Sequence, residues 1–173
     1  MRGLAMAPPS AEPVRAAVIA ISTSRAAGEG DDEGGDALTE FAASLGGELA
    51  GREVVPDDLD LISQRLVHWA DAESCDLVLT TGGTGFSPND LTPEATRAVI
   101  DREAPGIPEA MRAASRPHTR HWMLSRAVAG IRGTTLIVNF PGSPKSIGEA
   151  GEAIAAALPH ALELVAGKHD AHH

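Results

Sequence analysis

The sequence predicts an α/β fold, a three-layer α/β/α sandwich with a mostly parallel central sheet. Two observations predict it: short runs rich in valine, isoleucine and leucine alternate with segments of helical spacing, and proline marks several helix starts. Alternation of strands and helices with short connections is typical of parallel sheets, because parallel strands need crossover connections. In such folds, ligands bind at the carboxyl ends of the strands.

Four segments form the predicted sheet. Three of them are nearly continuous apolar runs, as expected of strands that are covered on both faces. The exception is ELAGREVV, in which polar residues interrupt the apolar ones. The predicted strands are residues 14–21, 48–55, 76–81 and 135–140.

Apolar residues recur at helical spacing between the predicted strands, so each strand is expected to lead into a helix. Two such series are Leu38, Phe41, Ala42 and Leu45, and Leu59, Ile62, Leu66 and Trp69.

Three more helices are predicted to begin at proline, which is favoured in the first turn because its missing N–H would have no partner there. Threonine or serine directly before the proline is suited to cap the helix. The three pairs are Thr92-Pro93, Ile107-Pro108 and Ser143-Pro144.

Length, composition and charge limit the classes of protein to which the chain could belong. The 173 residues fit one domain, and no apolar stretch is long enough to span a bilayer, so we expect a cytoplasmic protein without a membrane partner. A net charge of −10 and an aromatic content of 3% argue against a nucleic-acid partner. The single cysteine, Cys75, borders an apolar run and is predicted to be a buried core residue.

The two ends are predicted to lie outside the domain, which spans residues 14–166. Residues 1–13 are rich in proline and alanine without periodicity and are predicted to form a flexible extension. Residues 167–173 hold three of the seven histidines, and we expect a flexible solvated tail rather than a metal site.

Four loops follow the predicted strands and carry glycine or polar side chains. Because the carboxyl ends of parallel strands lie at one edge of a sheet, these loops are expected to converge on one pocket. The loops are STSRAAGEGDDEGG, PDDLD, GGTGFSPND and PGSPKS.

The glycine loop is a candidate phosphate cradle. Gly82, Gly83 and Gly85 permit positive φ and let a ligand approach successive backbone N–H groups. The loop matches neither the Walker A motif nor the G-x-G-x-x-G dinucleotide fingerprint. A tight turn between strand and loop is the alternative interpretation of the same glycines.

Three aspartates stand in these loops, each with two interpretations. Asp90 either forms a turn or caps a helix, or it is a carboxylate that holds Mg²⁺ against a triphosphate. Asp57 and Asp58 face the same alternatives, and Asp57 is also a candidate cap for the next helix.

Lys145 follows Ser143-Pro144, in the first turn of a predicted helix. A cation is electrostatically disfavoured at a helix N-terminus, so a lysine there suggests that an anion binds. The alternative interpretation is a solvated surface lysine.

Five motifs occur in order along the chain: PDD, TTGGTG, NDLTPEAT, APGIPEAMR and LSRAVAGIRGTTLIVNFPGSPKS. Together they resemble the molybdopterin adenylyltransferase family of molybdenum cofactor biosynthesis. The resemblance implies an α/β/α fold assembled as a trimer or larger homo-oligomer. It also implies transfer of AMP from Mg-ATP to the terminal phosphate of molybdopterin, release of pyrophosphate, and hand-off of the product to a molybdate-inserting protein.

The resemblance further implies roles for particular residues. Asp57 and Asp90 match the two critical aspartates of the family, so they are implied to be catalytic and to position Mg²⁺. Thr23 departs from the family pattern, in which aspartate is common at this position. Substrate- or nucleotide-binding roles are implied for Ser22, Asp32, Gly34, Thr81, Gly82, Gly83, Thr84, Gly85, Glu109, Met111, Arg112, Ser115, Ser125, Arg126, Pro141, Gly142, Ser143 and Lys145.

Other interpretations stay open. Met111 is also a candidate core residue, and Arg112 a candidate partner in an ion pair on a helix surface. A non-catalytic molybdopterin carrier or assembly protein of the same fold is the alternative function. The presence of both Asp57 and Asp90 favours the enzyme.

Overall fold

A computed structural model describes residues 12–168, in which the chain forms one six-stranded sheet with helices on both faces. The strands are β1 (Arg15–Ile21), β2 (Glu48–Val55), β3 (Leu77–Thr81), β4 (Arg102–Glu103), β5 (Ala129–Arg132) and β6 (Thr135–Phe140). The α-helices are α1 (Thr23–Ala26), α2 (Glu33–Ser44), α3 (Leu59–Val67), α4 (Thr92–Val99), α5 (Gly106–Ser115), α6 (Pro144–Ile154) and α7 (Leu158–Val165).

The strand order is β2-β1-β3-β6-β5-β4. The pairs β1·β2, β1·β3 and β3·β6 are parallel, and the four predicted strands are confirmed to within one residue at each end. β5 pairs antiparallel with β6, and β4 pairs antiparallel with β5. The predicted α/β/α sandwich with a mostly parallel sheet is therefore confirmed, with a short antiparallel edge that the sequence did not predict.

Two apolar cores lie on opposite faces of the sheet. Alternate residues of β1 point to opposite sides, so that Ala16 and Val18 belong to one core while Ala17 and Ile19 belong to the other. Helices α2, α5, α6 and α7 cover the first core, and α3 and α4 cover the second. The strands are therefore held between two helical layers, and only their ends and connecting loops are free to form a site.

The starts of α4 and α6 follow the proline signals, but α5 begins at Gly106, two residues before Pro108, and one predicted cap is wrong. Ser143 caps α6, because its side chain accepts a hydrogen bond from Ser146 N. Thr92 begins α4 without capping it, since Leu91 is the cap residue. The Thr92 hydroxyl donates instead to Gly82 O at 2.9 Å, so it ties the helix to the glycine loop.

Other predictions concern the core and the ends. Cys75 is 1% exposed, as predicted, and burial raises the pKa of its thiol. Within residues 12–168, no helix combines the length and the apolar character needed to span a membrane. Residues 1–11 and 169–173, which hold most of the predicted extension and tail, lie outside the described residues.

Candidate functional site

Hydrogen bonds join the loops after β3 and β6, as predicted from their position at one edge of the sheet. Thr81 Oγ1 donates to Pro141 O at 2.7 Å, and Gly82 N donates to Phe140 O at 3.3 Å. The first turn of α2 packs against the same junction, because a Cβ on Gly34 would lie 3.1 Å from Thr81 Oγ1. The ends of two central strands and the start of a helix therefore share one rim.

The glycine loop follows a backbone path that glycine alone accommodates at two positions. Gly82 has a φ of +93° and Gly83 a φ of +67°, in the left-handed region. A Cβ on Gly82 would collide with the Ile21 carbonyl oxygen, and one on Gly83 would collide with Thr92 Oγ1. The tight-turn interpretation of these glycines is confirmed.

The same turn also presents free backbone donors. Among the described residues, the N–H groups of Gly83, Thr84 and Gly85 have no hydrogen-bond acceptor. Successive N–H groups of this kind form a concave site for anionic oxygens. The geometry thus supports the cradle interpretation alongside the turn, and the two are not exclusive.

Asp57 lies beside the glycine loop rather than at a helix cap. Asp58 caps α3, since it accepts a hydrogen bond from Leu61 N at 2.8 Å, so the capping alternative for Asp57 is wrong. Asp57 Oδ2 accepts hydrogen bonds from Thr23. A Cβ on Gly83 would be 3.4 Å from Asp57 Oδ1, which places that oxygen against the loop.

Asp90 borders the other end of the glycine loop. Its Oδ2 accepts a hydrogen bond from Ser87 N at 2.9 Å, which confirms a role in the turn. The same oxygen would lie 2.8 Å from a Cβ on Gly85, so the missing side chain lets the carboxylate approach the backbone. Within residues 12–168, Asp90 Oδ1 accepts no hydrogen bond and stays free for a ligand.

Arg126 holds the glycine loop in place. Its Nε donates to Gly85 O at 2.8 Å, its Nη2 donates to Asp90 O at 2.8 Å, and its Nη1 donates to Glu94. The implied role of Arg126 was a phosphate contact. The structure shows three of its five donors directed at the loop and at α4, so positioning is the role that the observed contacts support.

The ion pair of Glu94 with Arg126 makes a pH-dependent contribution to stability. The hydrogen bond from Arg126 lowers the pKa of Glu94 below its ordinary value. A lowered pKa in the folded state means that the stabilisation is complete above the pKa of the unfolded chain, about 4.3 for glutamate. It is lost as the pH falls through the lower folded value.

We therefore expect Glu94→Gln to lower the free energy of unfolding by about 0.2–1 kcal/mol at pH 7, the range for exposed ion pairs. Urea unfolding measured between pH 7 and pH 2 should show this difference shrinking as the pH falls. Glu152→Gln, on the exposed side of α6, corrects for the general loss of one negative charge. A difference that persists unchanged at pH 2 would contradict the ion-pair origin.

A small cavity of about 50 Å³ lies at the rim and is lined in part by Gly142. Asp32 contributes to its wall but is already engaged, because it caps α2 through Gly35 N and pairs with Arg52 at 3.0 Å. Ser22 caps α1 and accepts a hydrogen bond from Arg25 N. The predicted site residues that line this cavity are Ser22, Asp32, Gly34, Thr81, Gly82 and Gly142.

A second cavity, of about 150 Å³, is lined in part by the adjacent Pro141. Met111 is 3% exposed and belongs to the core, which confirms the core interpretation, and because it also lines this cavity its binding role stays a prediction. Arg112 donates to the carbonyl oxygens of Ser125 and Ala127, not to an acidic partner, so the ion-pair alternative is wrong. The predicted residues in this wall are Met111, Arg112, Ser115, Ser125 and Pro141.

Sequence reasoning missed six residues of this wall: two alanines, Ala127 and Ala150, and four residues with polar or aromatic side chains, Thr119, His121, Trp122 and Ser146. Trp122 is half-buried, and the Arg116 guanidinium carbon lies 5.8 Å from its ring centroid. Charge was the signal that could have found them. Residues 110–148 contain no aspartate or glutamate in a chain of net charge −10. The cations of that stretch are Arg112, Arg116, Arg120, Arg126, Arg132 and Lys145.

The remaining predicted residues lie at the margin of the site. Glu109 is exposed on α5 and lines neither cavity. Thr84 is 7% exposed, and its carbonyl oxygen accepts from Arg126 N at 2.8 Å. Lys145 is exposed in the first turn of α6 and, within residues 12–168, has no acidic partner.

Asp57 and Asp90 are the carboxylates that could hold a metal ion at this rim. Within the described residues, no group of three His, Cys, Asp or Glu side chains is arranged to hold one. Mg²⁺ usually keeps several waters and binds through one or two carboxylates together with substrate phosphates. The two aspartates therefore fit an ion that arrives with a nucleotide.

Comparison with known sequences gives one family and several relatives. A protein family described as "Probable molybdopterin binding domain" matches residues 17–160. The chain is 40% identical over 169 residues to the molybdopterin adenylyltransferase of Escherichia coli K12, covering 89% of this chain and 86% of that one. It is 46% identical over 117 residues to the molybdopterin adenylyltransferase of Helicobacter pylori J99, covering 68% of this chain and 66% of the relative.

Some relatives are much longer. The chain spans 19% of the molybdenum cofactor synthesis protein cinnamon of Drosophila melanogaster, to which it is 46% identical over 112 residues. Among solved structures, the molybdopterin biosynthesis enzyme MoaB of Thermus thermophilus is similar, with a TM-score of 0.84 and 47% sequence identity. That likeness covers 89% of this chain and 97% of the other.

Proposed function

The chain belongs to the family described as the probable molybdopterin binding domain, and on this premise we propose that it is a molybdopterin adenylyltransferase. It would transfer AMP from Mg-ATP to the terminal phosphate of molybdopterin and release pyrophosphate. The observation that carries the proposal is a loop with three free N–H groups, flanked by Asp57 on one side and Asp90 on the other. The relatives named molybdopterin adenylyltransferase support it.

The reaction needs no nucleophile from the protein. An oxygen of the molybdopterin phosphate attacks the α-phosphorus of ATP and forms a P–O bond. The bond from the α-phosphorus to the oxygen that bridges to the β-phosphate breaks, and that oxygen leaves with the electron pair in pyrophosphate. Catalysis of this kind depends on positioning two polyanions in line and on stabilising the charge that develops.

Different residues of the chain would bind the phosphates, hold the metal ion and position the loop. The N–H groups of Gly83, Thr84 and Gly85 would bind phosphate oxygens, and Lys145 would add a positive charge at the start of α6. Asp57 and Asp90 would hold Mg²⁺, which neutralises phosphate charge when it is bound with ATP. Arg126 would keep the loop between the two aspartates in place.

The two cavities suggest how the substrates are arranged. Gly142 lines the small cavity beside Gly82, and the adjacent Pro141 lines the larger one beside Met111. We assign nucleotide contacts to the first cavity and the pterin to the second, whose wall contains Arg112, His121 and Trp122 and no acidic residue. The bond-forming phosphate would then lie near the glycine loop, between them.

Trp122 gives this assignment a specific test. If the indole ring stacks on the pterin, Trp122→Ala should raise the KM for molybdopterin about 5- to 100-fold, as expected for one lost stacking contact. The kcat and the KM for Mg-ATP should stay near those of the wild type. Met123→Ala is the matched control, because Met123 is 59% exposed and lies outside the cavity wall. Equal effects of the two substitutions would refute the assignment.

The assembly and location follow from the family resemblance alone. We propose a homo-oligomer, with a trimer expected, that works in the cytoplasm and hands the adenylylated pterin to a molybdate-inserting protein. Light scattering coupled to size-exclusion chromatography would give the subunit number directly.

The proposal is tested by pyrophosphate release from Mg-ATP with and without molybdopterin. Release that depends on the pterin, with an adenylylated pterin identified by mass, is the expected result. Tight pterin binding without pyrophosphate release would instead indicate a carrier.

A further inference from the structure

Thr23 is the first residue of α1, and its contacts with Asp57 join the ends of β1 and β2. Thr23 N donates to Asp57 Oδ2 at 3.1 Å, and Thr23 Oγ1 donates to the same oxygen at 2.8 Å. In return, Asp57 N donates to Thr23 Oγ1 at 3.0 Å. Three hydrogen bonds therefore connect one threonine with one aspartate across 34 positions of sequence.

The local fold explains why Thr23 is in this place. Ser22 has an extended backbone, and its side chain accepts a hydrogen bond from Arg25 N, so the chain turns into α1 directly after β1. Ser22 N also donates to Val55 O at 2.9 Å, at the end of the neighbouring strand. The first helical residue thus faces the loop after β2, where Asp57 lies.

These hydrogen bonds engage only one of the two carboxylate oxygens of Asp57. Oδ2 receives both hydrogen bonds from Thr23, while Oδ1 lies against Gly83 and, within residues 12–168, accepts none. A carboxylate held by two donors on one oxygen cannot rotate freely about its last side-chain bond. The free oxygen is therefore kept towards the glycine loop.

We propose that Thr23 is a positioning residue for Asp57, which fixes Oδ1 of that aspartate towards the glycine loop and its ligand. The inference rests on the proposed function. A threonine suits this role because its hydroxyl can donate to the carboxylate and accept from the Asp57 N–H together. A carboxylate at position 23 could not donate a hydrogen bond to Asp57.

The test compares substitutions that remove or keep the hydroxyl. Thr23→Val keeps the side-chain shape and the backbone donor but loses the hydroxyl, whereas Thr23→Ser keeps it. We expect Thr23→Val to lower kcat about 10- to 100-fold, the scale of a misplaced catalytic group, with KM for Mg-ATP changed by less than about 3-fold. Thr23→Ser should restore kcat to within about 3-fold of the wild type.

Thr39→Val is the matched control, because the Thr39 hydroxyl donates to Gly35 O within α2 and does not contact Asp57. It should leave kcat unchanged. Equal kcat values for Thr23→Val and the wild type would overturn the proposal, and so would a loss that Thr23→Ser fails to restore. Loss of thermal stability without loss of kcat would mean a structural role alone.

Crystal structures of the wild type and Thr23→Val separate this inference from the proposed function. If the wild type releases no pyrophosphate, the proposed function fails, but the position of Asp57 is still measured. An Asp57 side chain that adopts another orientation in Thr23→Val supports the positioning role. An unchanged carboxylate overturns it.

Discussion

Replacing Asp57 with asparagine is expected to lower pterin-dependent turnover about 100- to 1,000-fold, the range observed when one electrostatic contact to a transition state is removed. Asparagine has nearly the same shape, and its side-chain oxygen can still accept hydrogen bonds from Thr23 N and Oγ1. The variant therefore loses the negative charge beside Gly83 but little of the local structure. The measurement is kcat with saturating Mg-ATP and molybdopterin, together with the thermal unfolding midpoint.

Asp58 provides a control at the adjacent position. It caps α3 through Leu61 N and, among residues 12–168, forms no hydrogen bond with the glycine loop. Asparagine is as good a cap as aspartate, so Asp58→Asn should keep both turnover and stability close to those of the wild type. If Asp57→Asn and Asp58→Asn lower turnover equally, the loss comes from removing any negative charge in this loop. The specific role proposed for Asp57 would then be wrong.

The central strands could be predicted because the sequence pattern and the burial agree. β1, β3 and β6 are covered on both faces, so their apolar runs stand out from the flanking loops. β4 and β5 could not be predicted, since Arg102–Glu103 and Ala129–Arg132 are too short to show a period. β5 pairs with the edge of β6 and β4 pairs in turn with β5, so both strands depend on tertiary contacts.

The roles of single site residues were harder to predict than the position of the site. Asp57 and Asp58 are both suited to cap a helix, and only the backbone geometry after β2 decides that Asp58 does so. Arg126 has the chemistry of a phosphate ligand, yet its contacts with Gly85 and Asp90 depend on a fold that brings residues 41 and 36 positions apart together. Residue type indicates which interactions a side chain can make, whereas the long-range contacts of the fold decide which of them it makes.

Charge distribution would let this acidic protein accommodate the two polyanions of the proposed reaction. The net charge of −10 is spread unevenly, because residues 110–148 contain no acid and supply most of the wall of the larger cavity. Backbone donors of the glycine loop add positive potential without adding a cation. Net charge argues against a nucleic-acid groove, but it could not reveal this local reversal of sign.

Gly83→Ala should be a strongly damaging change in the glycine loop. An alanine at a φ of +67° is strained by about 1–2 kcal/mol, and its Cβ would collide with Thr92 Oγ1. Forcing an extra methyl group into a packed position costs about 1–3 kcal/mol more. Because the collision would shift a loop whose three free N–H groups lie between Asp57 and Asp90, we expect turnover to fall by about 100-fold or more.

Gly133→Ala separates backbone strain from collision, because Gly133 has a φ of +57° in the turn between β5 and β6, where a Cβ would meet nothing within 4 Å. That variant should lose only the strain, about 1–2 kcal/mol in urea unfolding, and keep full turnover. The extra destabilisation of Gly83→Ala then measures the collision with Thr92. If Gly83→Ala unfolds no more easily than Gly133→Ala and keeps its kcat, the loop can shift to accept a side chain. The observed positions of its three free N–H groups would then not be required for turnover.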